Sequence, residues 1–150
     1  MKVTAKDIKK LREATGAGIM EVKKALVETK GNEKKAREIL KKKGMEKMKK
    51  RAGKKTSEGQ VYGYVHAGGR VGAMVKVKCE TDFVAKGDDF LKLCKELAMQ
   101  TASMKPKNVK ELLKQTYIRD SKKKVEDLIK EITLKVKENV VVEEIVRIEL

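Results

Sequence analysis

The chain has 150 residues, a length typical of one domain or of a small domain followed by a modest one. Charged residues make up 40% of it and aromatic residues only 3%, so the core must be aliphatic and a large, rigid enzyme cleft is not expected. The formal net charge of +16 favours an anionic partner, either nucleic acid or an acidic protein, and most of the excess lies in residues 1–58.

The N-terminal part predicts three short helices. Thr4 followed three residues later by Asp7 is typical of a helix start, and Ile8 and Leu11 supply an apolar stripe. Helical spacing recurs in two further segments, at Ile19, Val22, Ala25 and Leu26 and then at Ala36, Ile39 and Leu40. The third helix is predicted to end at Gly44, which gives a three-helix domain over residues 1–45.

A basic segment follows this domain. It is rich in lysine and arginine and carries little apolar material beyond Met45, Met48 and Ala52. We predict a basic linker over residues 46–59, whose first half could be helical, and whose charges are most simply explained by exposure to solvent.

From Gln60 the period changes to two, which indicates strands. Valine and glycine alternate with Tyr62, Tyr64 and His66, and residues 67–70 provide the turn of a hairpin. The returning strand places one row of apolar residues on a single face: Val71, Ala73, Val75, Val77 and Cys79. Another element must cover that face.

The remaining pattern predicts the cover. A helix beginning at Asp88 or Asp89 and ending at residues 104–106 carries an apolar stripe at Phe90, Leu93, Cys94 and Leu97. A short helix over residues 108–115 and a longer one capped by Ser121 follow, and residues 139–150 predict one or two strands that join the hairpin. Residues 60–150 therefore form an α+β core, with a small antiparallel sheet of about three strands and helices on one side.

Few side chains point to catalysis or metal binding. Cys79 and Cys94 are too far apart for a CxxC motif, and the single histidine, His66, is explained as a strand residue. Gly16 and Gly18 follow a helix and lack the lysine of a phosphate-binding loop. We predict a protein that is not an enzyme and has no metal and no cofactor. The N-terminus lacks a signal peptide and no apolar run could span a membrane, so a cytoplasmic location is expected.

One motif resists a purely structural explanation. Thr81, Asp82, Phe83 and Val84 lie between the second strand and the next helix, and Phe83 is one of only two phenylalanines. The ring either packs beneath the following helix or projects from the turn as an anchor for a partner's pocket. The residues alone leave both alternatives open.

Three segments carry a family resemblance: LREATGAGIMEVKKAL (residues 11–26), VKCETDFVAK (residues 77–86) and SKKKVEDLIKEITLKVKENVVVEEIVRIEL (residues 121–150). They resemble bacterial elongation factor Ts, the guanine nucleotide exchange factor for elongation factor Tu. The resemblance implies a ubiquitin-associated-like three-helix N-terminal domain, a basic connector, and a core with a three-stranded antiparallel sheet.

The resemblance also implies site residues. Phe83 would be an exposed wedge, with Asp82 as its polar companion, that disturbs the partner's magnesium and phosphate site and so weakens GDP binding. Thr81 and Val84 would fix the turn. The N-terminal positions that match the partner-binding surface of the family are Leu11, Arg12, Ile19, Met20 and Lys23, although core packing also explains Leu11.

The sequence departs from the family pattern in its middle. Only some fifteen residues separate Pro106 from the closing segment, where most members carry a long helical insertion, and there is a single core unit. Short members resemble halves that pair, so a homodimer through the sheet and the final strand is expected. The alternative function is a basic ribosome- or RNA-binding module without exchange activity. If the protein is an exchange factor, contact with nucleic acid is possible but secondary to binding elongation factor Tu.

Overall fold

The computed structural model describes residues 3–150, and the chain separates into two compact units between Gly53 and Lys54. The first unit contains α1 (Ala5–Thr15), α2 (Ile19–Glu28) and α3 (Glu33–Arg51). The second contains β1 (Glu58–Val65), β2 (Val71–Cys79), α4 (Asp82–Ala85), α5 (Asp88–Met104), α6 (Val109–Lys114), β3 (Thr116–Tyr117), β4 (Asp120–Lys124), α7 (Val125–Val136) and β5 (Val141–Glu149). The α+β class predicted from the sequence is confirmed.

The first unit is a three-helix structure with a small aliphatic core. Its buried residues are Leu11, Val22, Ala25, Leu26, Ala36 and Leu40. The helix start predicted at Thr4 is confirmed, because the amide of Asp7 donates to Thr4 Oγ1 at 3.2 Å and the amide of Thr4 donates to Asp7 Oδ2 at 3.0 Å. Ile19, predicted on the apolar stripe of α2, is instead 51% exposed.

The predicted end of α3 at Gly44 is wrong. The helix continues through the basic segment to Arg51, where the amide of Ala52 still donates to the carbonyl of Met48 at 2.9 Å. A glycine inside a helix costs only about 1 kcal/mol relative to alanine, and the lysines and methionines after Gly44 are good helix formers. A single glycine is therefore not sufficient to stop the helix.

The second unit is built on an antiparallel sheet with the order β1-β2-β5. The predicted inner face of β2 is confirmed, with Ala73, Val75, Val77 and Cys79 buried. The stripe predicted for α5 is confirmed as well: its buried residues include Phe90, Leu93, Cys94 and Leu97, all in the core that covers this face. The last strand joins the hairpin, as predicted, by pairing with β2.

Within the second unit, no element packs on the opposite face of the sheet. Met74 lies at its centre, in register with Gly63 of β1 and Val146 of β5. The exposed apolar residues around it are Val61, Val65, Val146 and Ile148, and together with Met74 we call them the open sheet face. Farther along β2 on this face, Lys76 and Lys78 form ion pairs with Glu143 at 2.8 and 3.4 Å, so this part of the face is charged.

The helix cap predicted at Ser121 is wrong. Ser121 lies in β4, and α7 begins at Val125 with Lys124 as its N-cap. The buried side chain of Gln100 holds the β3–β4 hairpin against α5: its Nε2 donates to the carbonyl of Thr116 at 3.1 Å, and its Oε1 accepts from the amide of Ile118 at 3.0 Å. This hairpin uses residues that the sequence pattern had assigned to the helix start.

Candidate functional site

The candidate site is the turn that joins β2 to α5. Its centre is the four-residue helix α4, and Thr81 is the N-cap. Thr81 Oγ1 accepts from the amide of Val84 at 3.4 Å, and the carbonyl of Thr81 accepts from the amide of Ala85 at 3.2 Å. The amide of Gly87 donates to the carbonyl of Val84 at 3.0 Å, which closes the turn before α5 begins.

Phe83 projects from this turn into solvent. Its side chain is 85% exposed, whereas Phe90, seven residues later, is fully buried beneath the sheet. The alternative in which Phe83 packs beneath α5 is therefore excluded. A large aromatic ring left in water forgoes roughly 2 kcal/mol of burial free energy, which a partner's pocket could recover.

Asp82 stands beside the ring as a charged group. It forms an ion pair with Lys86, one helical turn later, at 3.1 Å. The hydrogen bond and positive charge of Lys86 hold the pKa of Asp82 below its usual range. The carboxyl group is thus ionised at neutral pH and available, with Lys86, for polar contacts next to Phe83.

A carboxylate from a distant part of the chain supports the turn from behind. Glu138 lies between α7 and β5; its Oε1 accepts from Thr81 Oγ1 at 2.6 Å, and its Oε2 accepts from the amides of Thr81 and Glu80 at 3.0 and 3.1 Å. In return, Glu80 Oε1 accepts from the amide of Asn139 at 2.7 Å. Sequence reasoning did not assign a role to Glu80 or Glu138, because they are far apart in the chain.

The inner side of the turn is fixed to the core. Ala85 is buried, and its carbonyl accepts from Gln60 Nε2 of β1 at 3.1 Å. Cys79 Sγ donates to the carbonyl of Thr81 at 3.2 Å. The backbone of α4 is therefore held on several sides while its outer residue, Phe83, has no such support.

The residues predicted to bind a partner from the N-terminal unit fall into two groups. Arg12, Ile19, Met20 and Lys23 are exposed, and Met20 is 62% accessible. Leu11 is fully buried in the core of the unit, so its side chain supports the helices and is not presented to a partner.

The thiols do not form a reactive site. Cys79 and Cys94 are both unpaired and buried, and burial raises their pKa values to about 11 and about 12. Among residues 3–150 no group of three or more His, Cys, Asp or Glu side chains is placed to hold a metal ion. Over the same residues, no helix has the length and apolar character needed to cross a bilayer.

Comparison with known proteins gives a consistent result. The family described as "Elongation factor TS" matches residues 80–150. Elongation factor Ts from Syntrophobacter fumaroxidans is 36% identical, with all of this chain and 98% of that protein aligned. Its counterpart from Thermotoga maritima is 39% identical over all of this chain and 97% of its own length. The protein of the same name from Moorella thermoacetica is 54% identical over 107 residues, which are 71% of this chain and 53% of that protein.

These alignments also bear on length. The alignment with the Syntrophobacter protein spans 195 positions although this chain has 150 residues, so that relative carries residues that this chain lacks. A shorter chain was expected, because the segment after Pro106 lacks the long insertion that most family members carry.

Proposed function

The chain belongs to the elongation factor Ts family, and from this membership we propose that it binds elongation factor Tu and promotes the release of GDP. The observation that carries the proposal is the exposed ring of Phe83 on a turn whose backbone is fixed from behind. An exposed aromatic side chain on a fixed backbone is the kind of group that, once buried by a partner, dominates the binding energy of an interface.

The proposed mechanism couples two binding events and breaks no covalent bond. Phe83 enters a pocket near the magnesium and phosphate site of the partner, with Asp82 beside it, and displaces the elements that hold the ion. GDP then binds more weakly, because Mg²⁺ bridges and neutralises its phosphate oxygens. By linkage, GDP weakens the binding of the factor by the same ratio.

A second contact is proposed for the N-terminal unit. Ile19 and Met20 expose apolar side chains at the start of α2, and Arg12 and Lys23 place positive charges near them in the sequence. An apolar centre with charged neighbours is suited to an acidic partner surface, where the charges raise the rate of encounter. Leu11 contributes only by holding the helices in place.

The proposal is tested by following the release of a fluorescent GDP analogue from elongation factor Tu. We expect fast release with the wild-type protein and at least about tenfold slower release with Phe83→Ala, because a buried aromatic anchor is worth ~2 kcal/mol. Ile118→Ala, which removes another exposed apolar side chain, is the matched control and should behave as wild type. Equal rates for wild type and Phe83→Ala would refute the role of Phe83, and no stimulation by wild type would refute exchange.

The second candidate function is RNA binding without exchange. It is favoured by α3, where Lys42, Lys43, Lys49 and Lys50 are exposed on one continuous helix and form no ion pair with any residue in the part of the chain that the structure describes. In the same experiment, this candidate predicts no GDP release and RNA binding that weakens steeply with salt and is unaffected by Phe83→Ala.

We also propose that two copies of the chain pair through the open sheet face. Several large apolar residues there are exposed side by side, including Met74 at 50% and Ile148 at 72%. Contiguous apolar surface of this kind marks an interface in a folded protein. A second copy offers the same apolar surface, so a two-fold axis near Met74 would cover both faces at once.

A further inference from the structure

We propose that Glu138 is a positioning residue for Phe83, acting through the hydroxyl of Thr81. The inference rests on the proposed exchange function, which it deepens. Its starting point is that Phe83 is 85% exposed and so receives almost no packing from its own chain. The direction of the ring is therefore set by the backbone of α4.

The backbone of α4 cannot hold itself. An isolated helix of four residues is unstable in water, because nucleation fixes several residues for very few hydrogen bonds. Its stability must come from the cap and from contacts with the rest of the unit. Thr81 is the cap, and its Oγ1 must point toward the amide of Val84 to serve as one.

Glu138 determines where that hydroxyl points. Thr81 Oγ1 donates its proton to Glu138 Oε1 at 2.6 Å, which leaves the oxygen lone pairs available to the amide of Val84. The other carboxylate oxygen accepts from the amides of Glu80 and Thr81. All three bonds go to one carboxylate, and hydrogen bonds to a carboxylate are stronger than bonds between neutral groups.

The support is reciprocal between two chain segments. Glu80 Oε1 accepts from the amide of Asn139, so each segment places a carboxylate on the backbone of the other. Asn139 is buried, and its Nδ2 donates to the carbonyl of Lys54 at 3.0 Å. Glu138 is therefore itself held in place, and through its hydrogen bonds it fixes Thr81, two residues before Phe83.

The consequence is preorganisation of the ring. If the turn were loose, the partner would have to order it on binding, and that conformational entropy would reduce the binding energy available for displacing the ion. Loss of Glu138 should thus slow the exchange step more than it weakens formation of the complex.

The test measures GDP release and affinity for elongation factor Tu with Glu138→Ala, Glu138→Gln and Glu143→Gln. We expect Glu138→Ala to slow release about tenfold at saturating factor, because ordering a loose turn uses free energy that would otherwise displace the ion, and to change affinity by less than about threefold. Glu138→Gln keeps one acceptor oxygen and should give an intermediate rate. Glu143→Gln removes a charge from β5 whose ion-pair partners are Lys76 and Lys78 of β2, not residues of the turn, and should match wild type.

A double-mutant cycle separates positioning from general structural damage. In the Phe83→Ala background, Glu138→Ala should cause no further loss of exchange, because there is no ring left to position. If the two losses multiply instead, Glu138 acts independently of Phe83 and the proposal is overturned. Wild-type exchange by Glu138→Ala also overturns it.

Hydrogen exchange provides a readout that does not depend on the partner. The amides of residues 82–86 should exchange faster in Glu138→Ala, while those of β2 and α5 keep their protection. Unchanged protection of residues 82–86 refutes the support role even if wild-type protein proves inactive in GDP release, so the two failures are distinguishable. If Glu138→Ala does not fold, Thr81→Val is measured in its place, because it removes the hydroxyl that donates to Glu138.

Discussion

At the scale of residues, the two phenylalanines show what sequence periodicity can decide. Phe90 has apolar partners three, four and seven positions later, and the structure buries it as predicted. Phe83 lies in a helix of one turn, where no stripe can form, so its pattern left burial and exposure open. The family resemblance favoured exposure, and the structure agrees. Neither approach could have predicted the role of Glu138, which contacts Thr81 across 57 residues of chain.

The buried thiols next to the site give a prediction about reactivity. Burial raises the pKa of Cys79 from 9.0 to about 11, so its thiolate fraction at pH 8 should be about a hundredfold lower than for an ordinary cysteine. Cys94, with a pKa of about 12, should be still less reactive. We therefore expect native protein to react with iodoacetamide at less than about one tenth of the rate of protein in guanidinium, measured by mass spectrometry.

The pH dependence provides the control. Labelling of native protein should rise as the pH is raised from 8 toward 11, because thiolate is then formed in the folded state. Rapid labelling of Cys79 at pH 8 would contradict the prediction and would show that the end of β2 opens readily.

At the scale of elements, the long amphipathic patterns were predictable and the boundaries were not. The inner face of β2 and the stripe of α5 follow from simple periodicity. The predicted end of α3 was wrong because the helix propensity of the residues after Gly44 outweighs the cost of that glycine. The predicted start of α7 was wrong because the hydrogen bonds of Gln100 favour a hairpin over a helix cap at Ser121. Periodicity over a short stretch of sequence carries no information about such tertiary contacts.

The continuation of α3 predicts where the chain is cut. Lys54 and Lys55 follow α3 outside regular structure, whereas the lysines from Lys41 to Lys50 lie within the helix. Limited trypsin treatment should first cut after Lys54 or Lys55, because proteases need an extended, exposed segment. Fragments identified by mass spectrometry should then be an N-terminal piece and a core.

A matched variant sharpens this experiment. Lys54→Gln combined with Lys55→Gln should delay the first cut without moving it into α3. First cuts between residues 41 and 51 would contradict the continuation of α3 through the basic linker predicted over residues 46–59. The domain boundaries predicted from the sequence, 1–45 and 60–150, stay predictions until such fragments are isolated.

At the scale of the whole molecule, charge and apolar surface have different roles. The net charge of +16 acts over a distance and raises the rate of encounter with an acidic partner, so association should slow as salt is added. The apolar residues of the open sheet face contribute only when another surface packs directly against them. The open sheet face lies on the side of the sheet opposite the core that packs beneath β2, so a second copy can cover it without disturbing that core.

Pairing through the open sheet face is tested by Met74→Glu. In a dimer the two glutamates would lie close to each other and to the two-fold axis, out of water, and burying like charges in this way is strongly unfavourable. Light scattering should therefore give twice the chain mass for wild type at tens of micromolar and a single chain mass for Met74→Glu.

The matched control is Val27→Glu, which adds the same charge at an exposed apolar position of α2 and should remain a dimer. A wild-type protein that stays monomeric at high concentration would refute pairing, and a dimeric Met74→Glu would place the interface elsewhere. Because Met74 is half exposed and its neighbour Gly63 leaves space, the substitution should change thermal stability little, so loss of the dimer can be assigned to the interface.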